Sequence, residues 1–140
     1  MDKKNNRREV YDKYNGKCAY CGCDIFIKEM QIDHLVPLYR NDSDEQLNKW
    51  GKIRGTNDMS NLMPSCRSCN HYKSTFTLDE FREQLMKMRE RLKKQYKIYS
   101  ISKRYRLIEE KPNKIVFFFE EYNSICYPKH TCYLGKDMIN

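Results

Sequence analysis

The sequence lacks the features that place a chain in a membrane or direct it for secretion. No apolar run in its 140 residues is long enough to span a bilayer. The basic residues between Met1 and Arg8 are not followed by an apolar stretch, so no secretory signal is recognised and a cytoplasmic protein is expected. Internal repeats and low-complexity linkers are also missing. With 39% hydrophobic and 33% charged residues, the chain is expected to form one domain, or a compact core with an appendage.

The even number of cysteines typical of a disulfide framework is missing as well, because the chain has seven. Four of them form two pairs with the spacing Cys-x2-Cys, namely Cys18 with Cys21 and Cys66 with Cys69. Such pairs let one turn of backbone present two thiolates to a single ion, and two pairs complete a closed tetrahedral zinc site. The alternative is four unrelated buried thiols. A closed site leaves no open position on the ion, so the predicted Zn²⁺ is structural.

The other three cysteines have weaker assignments. Cys23 lies beside the first pair and could compete as a ligand. Cys126 and Cys132 are expected to contribute packing only. A second metal site formed by these two with His130 lacks an obvious fourth ligand.

Positive charge dominates the chain, with a formal net charge of +8 and a pI of about 9.1. This balance favours a polyanionic partner, either nucleic acid or anionic lipid, although it also fits a basic surface with no partner. The basic residues concentrate in residues 3–17 and 82–106.

Periodicity and turn signals predict helices and a few short strands. Residues 7–14, 45–49, 67–74 and 99–107 are expected to be helical. A long amphipathic helix is predicted over residues 77–96, because Thr77 and Glu80 form a capping box and apolar residues recur along one face. Residues 24–27 and 30–34 are predicted to pair as a hairpin, and residues 114–122 give a strong strand signal.

Between the cysteine pairs lie residues suited to phosphodiester hydrolysis, which needs a deprotonated water and a cation on the phosphate. His34 can accept the proton of water, since an imidazole near its ordinary pKa is a usable base at neutral pH. Asp33 offers hard oxygen to a divalent cation, and Asn70 offers an amide oxygen to the same ion.

The ordered combination of cysteine pairs, Asp-His-x-x-Pro and Asn-Leu-x-Pro-x-Cys-x-x-Cys-Asn-x-x-Lys resembles the HNH endonuclease family, in the subgroup braced by a four-cysteine zinc. The resemblance covers roughly residues 18–74. It implies that His34 is the general base, that Asp33 and Asn70 hold the catalytic cation, and that Asn61 hydrogen-bonds the backbone near His34. Arg67 and Lys73 are predicted to contact nucleic acid, with a solvated side chain as the alternative for Lys73.

At one position the chain departs from the commonest pattern of the family, which has His where this chain has Asn70. His71 follows one residue later, about 100° further around a helix, and is expected to face away. The amide oxygen of Asn70 favours Mg²⁺ or Mn²⁺ over softer metals.

The expected fold is therefore α+β, a ββα-metal (HNH, or His-Me finger) core with a structural zinc, flanked by helices and a short C-terminal β element. Residues 1–76 are predicted to form the nuclease core and residues 77–140 an extension packed on it. Double-stranded DNA is the expected partner, and no membrane is. The alternatives are a non-catalytic zinc-ribbon DNA-binding module, which leaves Asp33 and His34 unexplained, and an adaptor that displays the helix over residues 77–96.

Overall fold

A computed structural model of the chain describes residues 3–126, with side chains from residue 6 to residue 123. Two strands, a 3-10 turn and seven α-helices are found in this range. Their bounds are α1 Lys3–Asp12, β1 Gln31–His34, α2 Asp44–Lys49, the 3-10 turn Met59–Asn61, β2 Leu62–Ser65, α3 Arg67–Lys73, α4 Leu78–Met86, α5 Met88–Gln95, α6 Lys97–Arg104 and α7 Phe118–Cys126. None of these helices combines the length and hydropathy that crossing a bilayer requires.

The two strands pair antiparallel, with Asp33 opposite Met63 and His34 opposite Leu62. The predicted hairpin between residues 24–27 and 30–34 is wrong, since Asp24 forms only an isolated bridge with Lys17. All four residues of β2 are buried, so this strand gives β1 an apolar partner. Because α3 begins directly after β2, the order strand, strand, helix confirms the predicted α+β core.

Helix α1 closes one side of this core. Val10 on the helix and Tyr14 just beyond it are buried. The Lys13 ammonium donates hydrogen bonds to the carbonyl oxygens of Met59 and Leu62, at 3.0 and 2.6 Å. These bonds tie α1 to the chain where β2 begins, so α1 helps to fix the strand that carries the second cysteine pair.

The predicted strand over residues 114–122 is wrong, because α7 begins at Phe118 and no strand occurs among the described residues of this segment. The amide groups of Phe118 and Phe119 donate hydrogen bonds to the carbonyl oxygens of Tyr20 and Ala19. The Glu120 carboxylate accepts a hydrogen bond from the Phe117 amide at 2.8 Å. Aromatic residues favour strands because of how their side chains pack, not because of a backbone preference. Here these side chains pack on the first cysteine pair, so the backbone can start a helix.

Contacts divide the described residues into two units. One is formed by residues 3–78 and 116–126, and the other by residues 79–115. The predicted boundary at residue 76 falls near the first limit, but residues 116–126 belong with the N-terminal segment. Within residues 79–115 the predicted long helix is interrupted at Lys87. Its amide still bonds to the Glu83 carbonyl, and its carbonyl accepts from Arg91, so the interruption is a distortion of one residue. At Tyr96 the backbone becomes extended, and α6 then begins.

Candidate metal centre and active site

The structure brings Cys18, Cys21, Cys66 and Cys69 into one cluster, with their sulfur atoms all within 4.8 Å of one another. Four sulfurs bound to one zinc at about 2.3 Å in a tetrahedron stand about 3.8 Å apart. The Cys21 and Cys66 sulfurs already lie 3.9 Å apart. The donor set, its spacing and its closed shape therefore fit a structural zinc.

Local backbone geometry presents each cysteine pair. In the first pair, Gly22 adopts a left-handed conformation with φ of +75°, and its amide donates to the Cys18 carbonyl at 2.9 Å. A β-carbon at Gly22 would also lie 2.8 Å from the Phe118 ring. In the second pair, Cys66 caps α3 by accepting a hydrogen bond from the Cys69 amide. Turn geometry thus orients two of the sulfurs and a helix start orients the others.

The thiols of Cys18 and Cys69 share a hydrogen bond that gives them different pKa values. This bond lowers the pKa of Cys18 to about 4, and it raises the pKa of Cys69. One member of the pair is therefore stabilised as a thiolate, the form that binds metal.

Of the remaining cysteines, Cys23 is exposed and is not part of the cluster. The Cys126 side chain, His130 and Cys132 lie outside the described residues, and so does the weaker metal site suggested for them.

Asp33 lies at the centre of a buried polar group on β1. One of its carboxylate oxygens, Oδ2, accepts a hydrogen bond from the Tyr20 hydroxyl and lies 2.9 Å from the Lys73 ammonium. Burial, followed by the nearby Asp33 carboxylate, raises the pKa of Tyr20 well above its ordinary value, so the hydroxyl remains a donor. Among the described residues, the other oxygen of Asp33, Oδ1, has no hydrogen-bond partner.

Lys73 fits neither role expected for it, phosphate contact or solvation. Its side chain is 0% exposed, and besides Asp33 its ammonium binds the His34 carbonyl oxygen at 2.8 Å. The ammonium also lies 5.9 Å from the centre of the Tyr20 ring. A lysine enclosed in this way cannot reach DNA. It instead links α3 to the end of β1, a role that the spacing Asn-x-x-Lys does not reveal.

The His34 ring is oriented by a residue that the sequence did not single out. Its Nε2 atom lies 3.0 Å from the side-chain oxygen of Asn57. An amide oxygen only accepts hydrogen bonds, so a neutral ring that donates from Nε2 to Asn57 keeps an unprotonated Nδ1. Asn57 stands in a polar loop in which several Asn and Asp residues look alike, and no local signal distinguishes it.

Asn61 clamps the chain that follows His34. Its side chain accepts from the Val36 amide at 2.8 Å and donates to the carbonyl oxygens of Val36 and Thr56, at 3.0 and 2.8 Å. Its own carbonyl accepts from the Leu35 amide at 2.9 Å. These are backbone contacts of the kind that the family resemblance implies for this residue.

Asn70 is half-buried on α3, and its side chain has no hydrogen-bond partner in the described part of the chain. Residues three apart share a helix face, so Asn70 lies one turn from Lys73, but the open cleft that Asn70 lines includes neither Asp33 nor His34. No hydrogen bond joins Asn70 to Asp33 or His34. His71 is exposed and lines an open cleft together with Asn70 and Arg67, so its sequence offset does not turn it away from that cleft.

Comparison with known proteins gives a matching family and similar proteins, including the following two. Residues 18–76 match the family described as HNH endonuclease. An SPbeta prophage-derived protein of Bacillus subtilis (strain 168), YoqL, which is named after the same family, is 34% identical over 71 residues, or 50% of this chain and 28% of its own length. The crystal structure of the Type II-C Cas9 enzyme from Actinomyces naeslundii is similar over 57% of this chain and 8% of its own, with 24% identity and a TM-score of 0.44.

The matched segment contains the sulfur cluster and every residue of the candidate active site described above. It also contains the antiparallel strands and the helix that hold those residues. Residues 18–76 of this chain are therefore similar to the HNH endonuclease family.

Proposed function

We propose that the chain is a metal-dependent endonuclease that hydrolyses phosphodiester bonds in double-stranded DNA, with His34 as the general base. The observation that carries this proposal is the fixed state of His34. The Asn57 side-chain oxygen contacts Nε2 of the ring, and Lys73 binds the backbone carbonyl of the same residue. A neutral ring held by both contacts would keep one unprotonated nitrogen, Nδ1, to act as the base.

In this proposal Nδ1 of His34 removes a proton from a water molecule. The water oxygen forms a bond to phosphorus, one ester P–O bond breaks, and the departing oxygen takes a proton from solvent. A divalent cation, when bound, supplies positive charge to the phosphate oxygens and the departing oxygen. The hard, unpartnered oxygens of Asp33 and Asn70 are the ligands that Mg²⁺ or Mn²⁺ prefers. Arg67, exposed in the cleft beside Asn70, is assigned to phosphate contact.

We assign the four-cysteine cluster to a structural Zn²⁺ that is separate from the catalytic cation. Thiolates hold zinc far more tightly than two oxygen ligands hold Mg²⁺. The two metals should therefore differ in how readily a chelator removes them.

The test is cleavage of supercoiled plasmid with and without added Mg²⁺ or Mn²⁺. His34→Ala should lose about a hundredfold or more in rate, the usual scale for a general base, while keeping its DNA affinity. Asn48→Ala, at an exposed asparagine on α2, is the matched control and should cleave as the parent does, whereas Asn70→Ala should not. A His34→Ala protein that cleaves at the parental rate would assign the base to another residue, and a parent protein that binds DNA without cleaving it would assign the core to DNA binding alone.

Brief treatment with EDTA gives an independent check on the two metals. Cleavage should stop and return when Mg²⁺ is added, while the zinc content stays at one ion per chain. Cleavage that survives the chelator would contradict a hydrolytic cation.

A further inference from the structure

The positive charge of the chain is concentrated in one short segment outside the nuclease core. Residues 87–106 contain nine Lys and Arg residues and one Glu, which leaves eighteen basic and eighteen acidic residues in the rest of the chain. The whole formal excess of +8 therefore equals that of this segment. It contains all of α5 and all of α6, within the unit formed by residues 79–115.

Some of these cations are already occupied inside the unit. Lys93 forms ion pairs with Glu90 and Glu110, at 3.1 and 3.4 Å, and Lys103 pairs with Glu110 at 3.0 Å. The bond from Lys103 contributes most to lowering the pKa of Glu110 to about 2. Lys87 pairs with Glu83. These charges are compensated locally and leave little attraction for a polyanion.

Four cations of the segment are exposed and have no hydrogen bond or ion pair with any described residue. They are Lys94, Lys97, Arg104 and Arg106. Lys97 and Arg104 lie seven residues apart on α6, which places them on the same side of the helix about 10.5 Å apart along its axis. Unpaired cations at such a spacing are available to a partner with repeated negative charge.

Exposed apolar side chains occupy the same side of α6. Ile98, Ile101 and Tyr105 are 72%, 43% and 75% exposed. The opposite side of the helix carries Tyr99, whose hydroxyl donates to Glu110 at 2.9 Å. We name the outward side the α6 face and define it by Lys97, Ile98, Ile101, Arg104 and Tyr105.

A stripe of exposed apolar residues alone does not identify a partner, but the charge around this stripe does. Unpaired cations along one edge of a narrow apolar centre match a duplex, whose major groove admits one helix, offers thymine methyl groups to apolar side chains and is bordered by phosphates. A helix that lies in a lipid surface needs a broader apolar face than two isoleucines and one tyrosine.

We propose that the α6 face is a second nucleic-acid-binding surface, which places α6 against double-stranded DNA with Lys97 and Arg104 on phosphates. The apolar centre then contacts base edges or sugars. The inference rests on the proposed function, because it takes the substrate of the nuclease core as the ligand of the second surface.

The test measures binding of the zinc-loaded, full-length chain to a fluorescent DNA duplex by anisotropy, over a series of salt concentrations and with no added Mg²⁺. Lys97→Gln with Arg104→Gln should bind about tenfold more weakly at low salt. The slope of log affinity against log salt should fall by about 1 for each lost phosphate contact. The matched control is Lys87→Gln with Lys93→Gln, which removes the same charge from paired lysines and should stay within about threefold of the parent.

A second variant separates the α6 face from charge in general. Ile98→Ser with Ile101→Ser keeps every charge, so it should weaken binding without changing the salt slope. The inference is overturned if either α6 variant binds as the parent does, or if the control loses as much as Lys97→Gln with Arg104→Gln. Ile98→Ser with Ile101→Ser could instead keep the parental DNA affinity and lose binding to phosphatidylserine vesicles. That result would assign the α6 face to a membrane.

Plasmid cleavage with Mg²⁺ distinguishes this inference from the proposed function. A parent protein that binds through the α6 face but never cleaves contradicts the nuclease proposal alone. A parent that cleaves, while the α6 variants keep their affinity, contradicts the α6 inference alone.

Discussion

Lys73 and its partners are the residues on which the candidate active site depends. The buried ammonium binds Asp33 and the His34 carbonyl, so one side chain fixes both a proposed cation ligand and the backbone of the proposed base. It also neutralises the Asp33 carboxylate, which leaves the site with little charge of its own to attract a cation. We therefore expect weak affinity for Mg²⁺ in the absence of DNA.

Lys73→Met should lower the free energy of unfolding by about 3–5 kcal/mol, because it leaves the Asp33 carboxylate buried without its cation. Lys87→Met is the control, since its ion pair with Glu83 is exposed and should contribute less than about 1 kcal/mol. Urea denaturation followed by circular dichroism measures both. Adding Asp33→Asn to Lys73→Met should restore part of the lost stability. Equal stability of Lys73→Met and Lys87→Met would rule out a strong buried pair.

At the scale of elements, the loop between the strands positions the site as much as the strands do. Asn61, at the end of this loop, joins the chain after His34 to Thr56, and Asn57 reaches back to the His34 ring. Gly55 in this loop lies so close to the chain after His34 that a β-carbon on it would stand 1.9 Å from the Val36 carbonyl oxygen. No real contact is that short, so only glycine fits at this point of the loop.

Gly55→Ala should therefore push the loop away from Val36 and release Asn57 from His34. We expect a loss of about 1–3 kcal/mol in the free energy of unfolding, the usual range for overpacking. Cleavage activity should fall by a larger factor than stability at the assay temperature explains. Gly51→Asn is the control in the same loop, because that position has open space and asparagine tolerates its φ of +64°. Thermal melts and plasmid nicking, compared between the two variants, check this prediction.

At the scale of the whole molecule, the sulfur cluster joins segments that are far apart in sequence. The first pair follows α1, and the second starts α3. Residues 116–119 pack on the first pair, where two of their backbone amides donate hydrogen bonds to the carbonyl oxygens of Ala19 and Tyr20. A metal at the cluster would therefore hold together α1, the strands, α3 and the start of α7. In a core this small, such a metal can supply much of the folding free energy.

Cys66→Ser should remove both the zinc and the fold, because Cys66 is a proposed ligand and also the cap of α3. Zinc content by elemental analysis and the cooperative thermal transition should be lost together. Cys23→Ser is the matched control, since that thiol is exposed and stands outside the cluster, and it should keep both. A Cys66→Ser protein that melts as the parent does would contradict the structural role of the metal.

Features whose ligands or signals are local along the chain could be predicted from the sequence alone. Two Cys-x2-Cys pairs specify a metal site whatever separates them, and Asp33 and His34 are recognisable because they are adjacent and lie between those pairs. The helix after Cys66 was predicted over residues 67–74 and lies at Arg67–Lys73. The resemblance to the HNH endonuclease family also rests on these motifs, since their order along the chain needs no three-dimensional information.

Three features depend on long-range packing and could not be predicted locally. They are the strand that pairs with β1, the place where the aromatic segment at residues 117–119 packs, and the polar groups that contact Asp33 and His34. Strand partners and the fate of aromatic residues depend on long-range burial, which local propensity does not encode. Lys73 looks like an ordinary surface lysine and Asn57 like an ordinary loop asparagine until the chain closes around them. Their importance arises from contacts with residues 23 to 40 positions away, and such contacts are set by packing of the whole core.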